Sequence, residues 1–177
     1  MITAPMITDK LQQIQDDEYT FPYHYVSQFE NNFTQCFNDI WGINYIATIE
    51  FMLARLAATP FESLVDVGCG DGRLTYEIQK RFPARTVWGI DYSQRAINLA
   101  KAMNPRGNYL QADITQPSSL PAFDAAVLME VFEHIPPAVA PAFLGGVAGL
   151  LKRGGVLFIT VPHVNKPVEY KHFRHFS

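Results

Sequence analysis

Val65-Asp66-Val67-Gly68-Cys69-Gly70-Asp71-Gly72 is the stretch that decides the fold. Ser63–Val67 is a short apolar run of the kind a buried strand shows. Three glycines follow, and then a helical stretch with Leu74 and Ile78 one turn apart. Glycine reaches φ > 0 and lets backbone approach a ligand closely, and a helix start carries N–H groups without intrahelical partners. The loop therefore reads as a strand–loop–helix ligand site whose free amides suit an anion or a polar group. Its spacing departs from the dinucleotide fingerprint G-x-G-x-x-G. Arg73 stands where the third glycine belongs, and Asp71 would face a pyrophosphate badly. A cofactor without phosphate suits the loop better.

Outward from this loop the chain alternates. Apolar or β-forming runs recur at Thr86–Ile90, Asn108–Ala112, Ala125–Met129 and Val156–Val161. Before the first strand, a helix is predicted over Asn44–Ala58, with Ile46, Ile49, Leu53 and Leu56 on one face and Thr59-Pro60 ending it. Ser93 is a good N-cap for a helix carrying Ala96, Leu99, Ala100 and Met103 at helical spacing. A third helix is expected over Val139–Leu151, closed by Lys152-Arg153 and Gly154-Gly155. Apolar strands separated by helices predict an α/β fold with a doubly wound, mostly parallel sheet of five visible strands. In such a sheet the ligand lies beyond the carboxyl ends of the strands, at the switch point.

Asp66–Gly72, Asp91, Asp113 and Glu130 each fall at or just after a strand end. A carboxylate at Asp91 would accept bonds from both ribose hydroxyls of an adenosine and would repel a 2′-phosphate. Asp113 would accept from an exocyclic amine such as adenine N6. Any one of these acids also suits a helix cap or turn. Three of them on successive strand ends, beside one glycine loop, point to a ligand.

The bulk numbers narrow the class. The 177 residues suffice for one domain with a full core, and 48% hydrophobic with 18% charged residues is a globular balance. Net charge is −3, with an acidic excess of six in residues 1–62 and a basic excess of four in residues 152–177. An acidic whole argues against holding long duplex nucleic acid, so nucleic acid is not an expected partner. The basic, His-rich tail leaves room for a small anionic acceptor. Neither a signal-peptide-like start nor a run of about 18 apolar residues is present, so no membrane partner is expected. Cys36 and Cys69 lack metal or disulfide spacing and read as reduced thiols of a cytoplasmic protein. Residues 1–42 are expected to form an N-terminal helical and aromatic lid, with Tyr19, Tyr23, His24 and Tyr25 shaping an acceptor site, ahead of a binding domain over 43–177.

Four segments carry a family resemblance. Val65–Gly72, then Gly89-Ile90-Asp91-Tyr92-Ser93, Gln111-Ala112-Asp113-Ile114 and Phe123-Asp124-Ala125-Ala126-Val127-Leu128-Met129-Glu130-Val131-Phe132-Glu133-His134-Ile135 resemble the successive motifs of class I S-adenosylmethionine (SAM)-dependent methyltransferases. The likeness spans about residues 60–165. It implies that Asp66, Gly68, Cys69 and Gly70 hold the methionine part of SAM. Asp91 would bind the ribose, with Tyr92 beside the adenine and Asp113 and Ile114 at its edge. Met129 and Glu130 would line the methionine and the acceptor entrance. The implied reaction moves a methyl to O or N of a small metabolite or sugar-like acceptor and releases S-adenosylhomocysteine.

His134, with Glu133 and Glu130 as further candidates, would be the general base. On one helical turn, Glu130-x-x-Glu133-His134 would face one way, with His163, His172 or His175 nearby. That pattern is similar to metal-dependent RNA 3′-end ribose 2′-O-methyltransferases, but the same stretch also resembles metal-free relatives, and no metal is expected. An NAD-dependent oxidoreductase and a non-catalytic SAM-binding module are the remaining alternatives. The family normally continues to seven strands through a helix and an antiparallel hairpin. The chain is therefore expected to be C-terminally incomplete, or to cover its open sheet edge as a homodimer.

Overall fold

The computed structural model describes residues 10–19, 35–116, 119–166 and 171–177. After helices α1 (Lys10–Asp17) and α2 (Gln35–Ala57) come β1 (Ser63–Val67), α3 (Arg73–Arg81), β2 (Thr86–Asp91), α4 (Gln94–Met103) and β3 (Asn108–Gln111). Then follow β4 (Phe123–Met129), a 3₁₀ turn at Phe132–His134, α5 (Ala140–Gly149) and β5 (Leu151–Thr160). The five strands form one parallel sheet in the order β3-β2-β1-β4-β5. The chain order reverses between β1 and β4, which is the switch point the sequence led to expect.

Helices pack on both faces of the sheet, which is why its inner strands β1, β2 and β4 are largely buried. Side chains alternate across β1: Leu64 joins a core with Ile49, Met52, Leu56 and Ile78, while Val65 and Val67 join the opposite core with Ile90, Phe143 and Val147. The buried stripe of α2 is Ile49, Met52, Leu53 and Leu56; Ile46, expected on that face, is 40% exposed. In α4 the buried set is Ala96, Ile97 and Ala100, and Met103 lies outside it. Helix α2 starts at Gln35, well before Asn44, and crosses the expected boundary at residue 42.

One expected helix end is corrected. Lys152–Gly155 does not close α5, which stops at Gly149; these residues open β5. The ladder β4–β5 shifts register between Phe123 and Ala125, and Gly154 takes φ 80° in that bulge. Lys152 Nζ donates to Asp124 Oδ1 at 2.8 Å, a strand-to-strand tie that replaces its expected role at a helix terminus. Strand β5 lies at the sheet edge, where Val156 and Ile159 are exposed.

Candidate functional site at the carboxyl ends of the strands

The glycine loop is tied to the end of β2. Gly68 N–H and Cys69 N–H both donate to Ile90 C=O, at 2.8 and 3.0 Å, and Gly70 N–H donates to Asp91 Oδ2 at 2.9 Å. The expectation of free amides at Gly68–Gly70 is therefore corrected: these groups hold the loop against the neighbouring strand. A loop this tight needs glycine. Gly68 sits at φ 75°, and a Cβ there would come within 2.6 Å of the Val131 side chain. At Gly70 the missing side chain admits the Tyr19 ring, 3.3 Å from where a Cβ would stand. The Cys69 side chain is buried in a cluster with Ile97, Ala100 and Tyr109. Burial, then the neighbouring Asp91, Asp66 and Asp71 carboxylates, push its thiol well up.

Asp91 ends β2 with its carboxylate at the pocket wall. Oδ1 accepts from Ser93 N–H at 2.8 Å while Oδ2 takes Gly70 N–H. Each oxygen has lone-pair capacity for one more donor. Burial raises the carboxyl to about 6, against the pull of those amides and with a further push from Asp16. Asp66, at 2% exposure, accepts from Thr75 Oγ1 at 2.7 Å; burial, partly offset by this bond, lifts it to about 7. Asp113 caps its own turn, Oδ1 accepting from Thr115 N–H at 2.9 Å and Thr115 Oγ1 at 2.7 Å.

These groups line two adjoining lobes. The first is mainly apolar, walled by Tyr92, Asp113, Ile114, Val131, Ile135 and Phe143. The second is more polar and is lined by Asp66, Gly70, Met129, Asn44, Thr48 and histidines of the C-terminal segment, His163, His172 and His175. Gly68, Glu130, His134 and Tyr19 border both. Glu130 is exposed and takes φ 54°, a left-handed conformation uncommon for a side chain and typical of a constrained site. Its N–H donates to Thr160 C=O and to Thr160 Oγ1, both at 3.2 Å. Glu130 is thus not on a helical turn with Glu133 and His134, which lie in the 3₁₀ turn, and the expected three-residue face does not form.

The structure brings together Asp66, Asp91, Tyr92, Asp113, Ile114, Met129, Glu130, Glu133, His134 and Tyr19 around these lobes. Tyr23, His24 and Tyr25 lie outside the described residues. Glu133 is 1% exposed. His134 Nδ1 is 3.2 Å from Lys171 C=O, and its ring packs edge-on to His172 at 4.7 Å. Burial and the neighbouring His172 pull His134 down to about 4.

Residues that the sequence did not single out complete the first lobe. Gln15 and Asp16 of α1 border it, and Ser93 Oγ, the N-cap of α4, donates to Asp16 Oδ1. Glu18 pairs with Lys171 at 2.7 Å, joining the N-terminal helix to the C-terminal segment. Gly146 in α5 lets the helix press on the Asp113–Ile114 turn: a Cβ there would stand 1.8 Å from Ile114 O. A Gly-Gly pair inside an apolar helical pattern was the available signal for that close approach.

A SAM-sized ligand can be tested against this arrangement. An adenosine needs an apolar slot, a carboxylate at the end of the second strand, and an acceptor at the slot's edge. Phe143 and Ile114, Asp91, and Asp113 meet those needs in one cavity.

Comparison with known proteins agrees with this geometry. Residues 64–155 match the family model described as "Methyltransferase domain". A trans-aconitate 2-methyltransferase of Enterobacter sp. (strain 638) is 31% identical over 117 residues, 66% of this chain and 46% of that protein. One from Deinococcus radiodurans is 33% identical over 110 residues, 62% of this chain and 41% of its own length. The chain thus spans less than half the length of these curated relatives. Among solved structures, the magnesium protoporphyrin IX methyltransferase from Synechocystis PCC 6803 with bound SAM superposes with a TM-score of 0.68 at 20% identity, over 98% of this chain and 83% of that one. The N-methyltransferase NodS from Bradyrhizobium japonicum WM9, in complex with S-adenosylhomocysteine, gives 0.65 at 18% identity, over 88% and 74%. By the matched domain and the fold, this chain belongs to the class I SAM-dependent methyltransferase family.

Proposed function

We propose that this chain binds SAM across the carboxyl ends of β1, β2 and β3 and transfers a methyl group to O or N of a small-molecule acceptor held in the polar lobe. The observation that carries this reading is the buried Asp91 carboxylate, fixed by Gly70 and Ser93 amides with acceptor capacity still facing the apolar slot. Asp91 receives the ribose hydroxyls, Asp113 and Ile114 border the adenine, and Tyr92 lies beside it. Asp66, Gly68–Gly70, Met129 and Glu130 surround the methionine end. Bound SAM supplies a methyl on a sulfonium, open to in-line displacement. The residues of the chain contribute position: holding acceptor and donor in line is worth roughly 7–11 kcal/mol. Gln15, Asp16 and Tyr19 line the cavity, which supports a lid role for the N-terminal segment; such a lid would exclude water from the reaction.

The acceptor is inferred to be a small, anionic or sugar-like metabolite. Lys166, Lys171 and four histidines border its lobe. The curated relatives are named for trans-aconitate, and a similar fold is the sugar N-methyltransferase KedS8. Nucleic acid is not assigned as a partner, given the net charge of −3. No helix among the described residues is long and apolar enough to cross a membrane. We assign the chain to the cytoplasm, where Cys69 stays reduced, and assign a second copy to the exposed β5 edge. Titration with S-adenosylhomocysteine and NAD, followed by a tritiated-methyl SAM assay on fractionated extract, tests the reading. Preferential NAD binding refutes it, and SAM binding without transfer leaves a binding module in its place.

A further inference from the structure

Three successive acids, Asp16, Asp17 and Glu18, stand at the carboxyl end of α1. Acids there oppose the helix dipole, so α1 itself gains nothing from them. Two of the three meet basic side chains. Asp17 Oδ1 lies 3.7 Å from Arg95 Nη1 and accepts from Gln13 Nε2 at 3.1 Å, and Glu18 pairs with Lys171 at 2.7 Å. Asp16 instead borders the apolar lobe with Asp91, Tyr92 and Ser93, and it forms no ion pair among the described residues.

Ser93 joins the two carboxylates of that lobe. Its N–H donates to Asp91 Oδ1 at 2.8 Å, and its hydroxyl donates to Asp16 Oδ1. A hydroxyl has one proton to give, and Ser93 Oγ also accepts from Ala96 N–H at 3.1 Å as the cap of α4. Ser93 therefore has no donor left for Asp16 Oδ2, which makes no hydrogen bond among the described residues. The like charge is felt across the lobe, since Asp16 adds to the upward push on the Asp91 carboxyl. Next to Asp16, Gln15 borders both lobes, and its Oε1 is buried without a hydrogen-bond partner. Helix α1 thus brings acceptors to the cavity wall with no donors to meet them, and neutral donors from a ligand would relieve two neighbouring carboxylates.

Resting on the reading that an adenosine occupies this lobe, we propose that Asp16 is a second ribose-binding residue, its Oδ2 accepting from one hydroxyl of the diol while Asp91 accepts from the other. A vicinal diol offers two O–H donors, which suits two acids bridged by a single serine. Dividing the hydroxyls assigned above to Asp91 places a donor at each of the two like charges. The pair also rejects a phosphate on either hydroxyl, because both walls of the ribose site are then anionic. Since Asp16 holds α1 to the start of α4 and also holds the diol, docking of α1 and occupancy by the cofactor favour one another.

Titration calorimetry with S-adenosylhomocysteine and its 2′-deoxy and 3′-deoxy analogues tests the proposal without any methyl acceptor. Asp16→Ala should weaken S-adenosylhomocysteine by about 10–100-fold. One deoxy analogue should bind the parent chain about equally weakly and lose less than about threefold further in Asp16→Ala, because the partner of Asp16 is already missing. Asp16→Asn, of the same shape, repeats the comparison should Asp16→Ala fail to fold. Asp17→Asn, which breaks an exposed pair, should change affinity by less than about twofold. A loss that is equal for all three ligands, or as large in Asp17→Asn, would overturn the role of Asp16 while leaving the cofactor assignment intact. Failure of the parent chain to bind S-adenosylhomocysteine would overturn both.

Discussion

Replacing Asp66 by Asn should change how stability depends on pH, by an amount the structure sets. The Asp66 carboxyl is buried beneath the glycine loop beside the Asp91 and Asp71 carboxylates, and rises from 3.8 to about 7 on folding. Folding therefore favours its protonated form. The group costs nothing below its unfolded value, costs progressively more as pH climbs, and levels off above about 7. With these two values, linkage gives a cost of roughly 2 kcal/mol at pH 5 and roughly 4 kcal/mol at pH 8, a difference of roughly 2–3 kcal/mol. Asn keeps an oxygen to accept from Thr75 Oγ1 but carries no charge. Whatever constant effect Asp66→Asn has through shape or hydrogen bonding cancels when the two pH values are compared. Urea unfolding followed by tryptophan fluorescence, at pH 5 and pH 8, should show the variant gaining roughly 2–3 kcal/mol on the parent between the two. A difference between parent and variant that stays constant to within about 0.5 kcal/mol would refute the reasoning, because the carboxyl would then ionise as freely folded as unfolded.

Asp91 gives the corresponding prediction for binding: S-adenosylhomocysteine affinity should fall as pH drops through about 6, roughly tenfold per unit below it, and Asp91→Asn should abolish that slope while weakening binding at pH 8 by at least about 30-fold, measured by titration calorimetry. Gly146→Ala should cost about 3 kcal/mol of unfolding free energy, because its Cβ would strike Ile114 O, whereas Gly145→Ala, with open space around it, should stabilise by about 0.5–1 kcal/mol; similar urea midpoints for both would contradict the packing described. Lys171→Met should release bound S-adenosylhomocysteine up to about fivefold faster in stopped flow by freeing Glu18 and α1, an effect of less than about 1 kcal/mol for a partly exposed pair, while Lys152→Met, which breaks the distant Asp124 pair, should not change the rate.

The parts legible in the sequence were those set by local pattern. Strand runs, the glycine loop and the N-cap at Ser93 each depend on residues within a few positions of one another, and the parallel order follows from strand–helix alternation. What escaped was set by contacts remote in sequence. Lys152–Gly155 carries helix-closing residues, yet the β4 ladder draws it into a bulged strand, with Asp124 as the partner of Lys152. Ile46 and Met103 satisfy helical periodicity, but the sheet covers only part of each helix, and Met52 and Ile97 take the buried places. Glu130, Glu133 and His134 have the spacing of a helical face, but the chain leaves β4 through a left-handed residue into a 3₁₀ turn, and that face does not form. The Gln15-Asp16 contribution rests on a short polar helix whose amphipathic signal names no target.

The bonds at the end of β2 explain why the most legible motif was also partly misread. A glycine loop can offer its amides to a ligand, or it can use them to hold its own shape. Here Gly68 and Cys69 turn theirs to Ile90 C=O and Gly70 turns its own to Asp91, so the loop is rigid before any ligand arrives. Asp91 then has two tasks, fixing the loop through Oδ2 and holding the start of α4 through Ser93, while offering its remaining lone pairs to the cavity. A neutral amide cannot do both. In Asp91→Asn, one of the two oxygens becomes an NH₂ group that donates, and whichever way the amide turns, either Gly70 N–H or Ser93 N–H loses its acceptor. The variant should therefore loosen the glycine loop or the α4 start as well as lose ribose affinity. Amide hydrogen exchange at Gly70 and Ser93 would separate this account from one in which Asp91 touches only the ligand: faster exchange at one of the two in the ligand-free variant is required, and unchanged protection at both would show that the loop holds itself without the carboxylate.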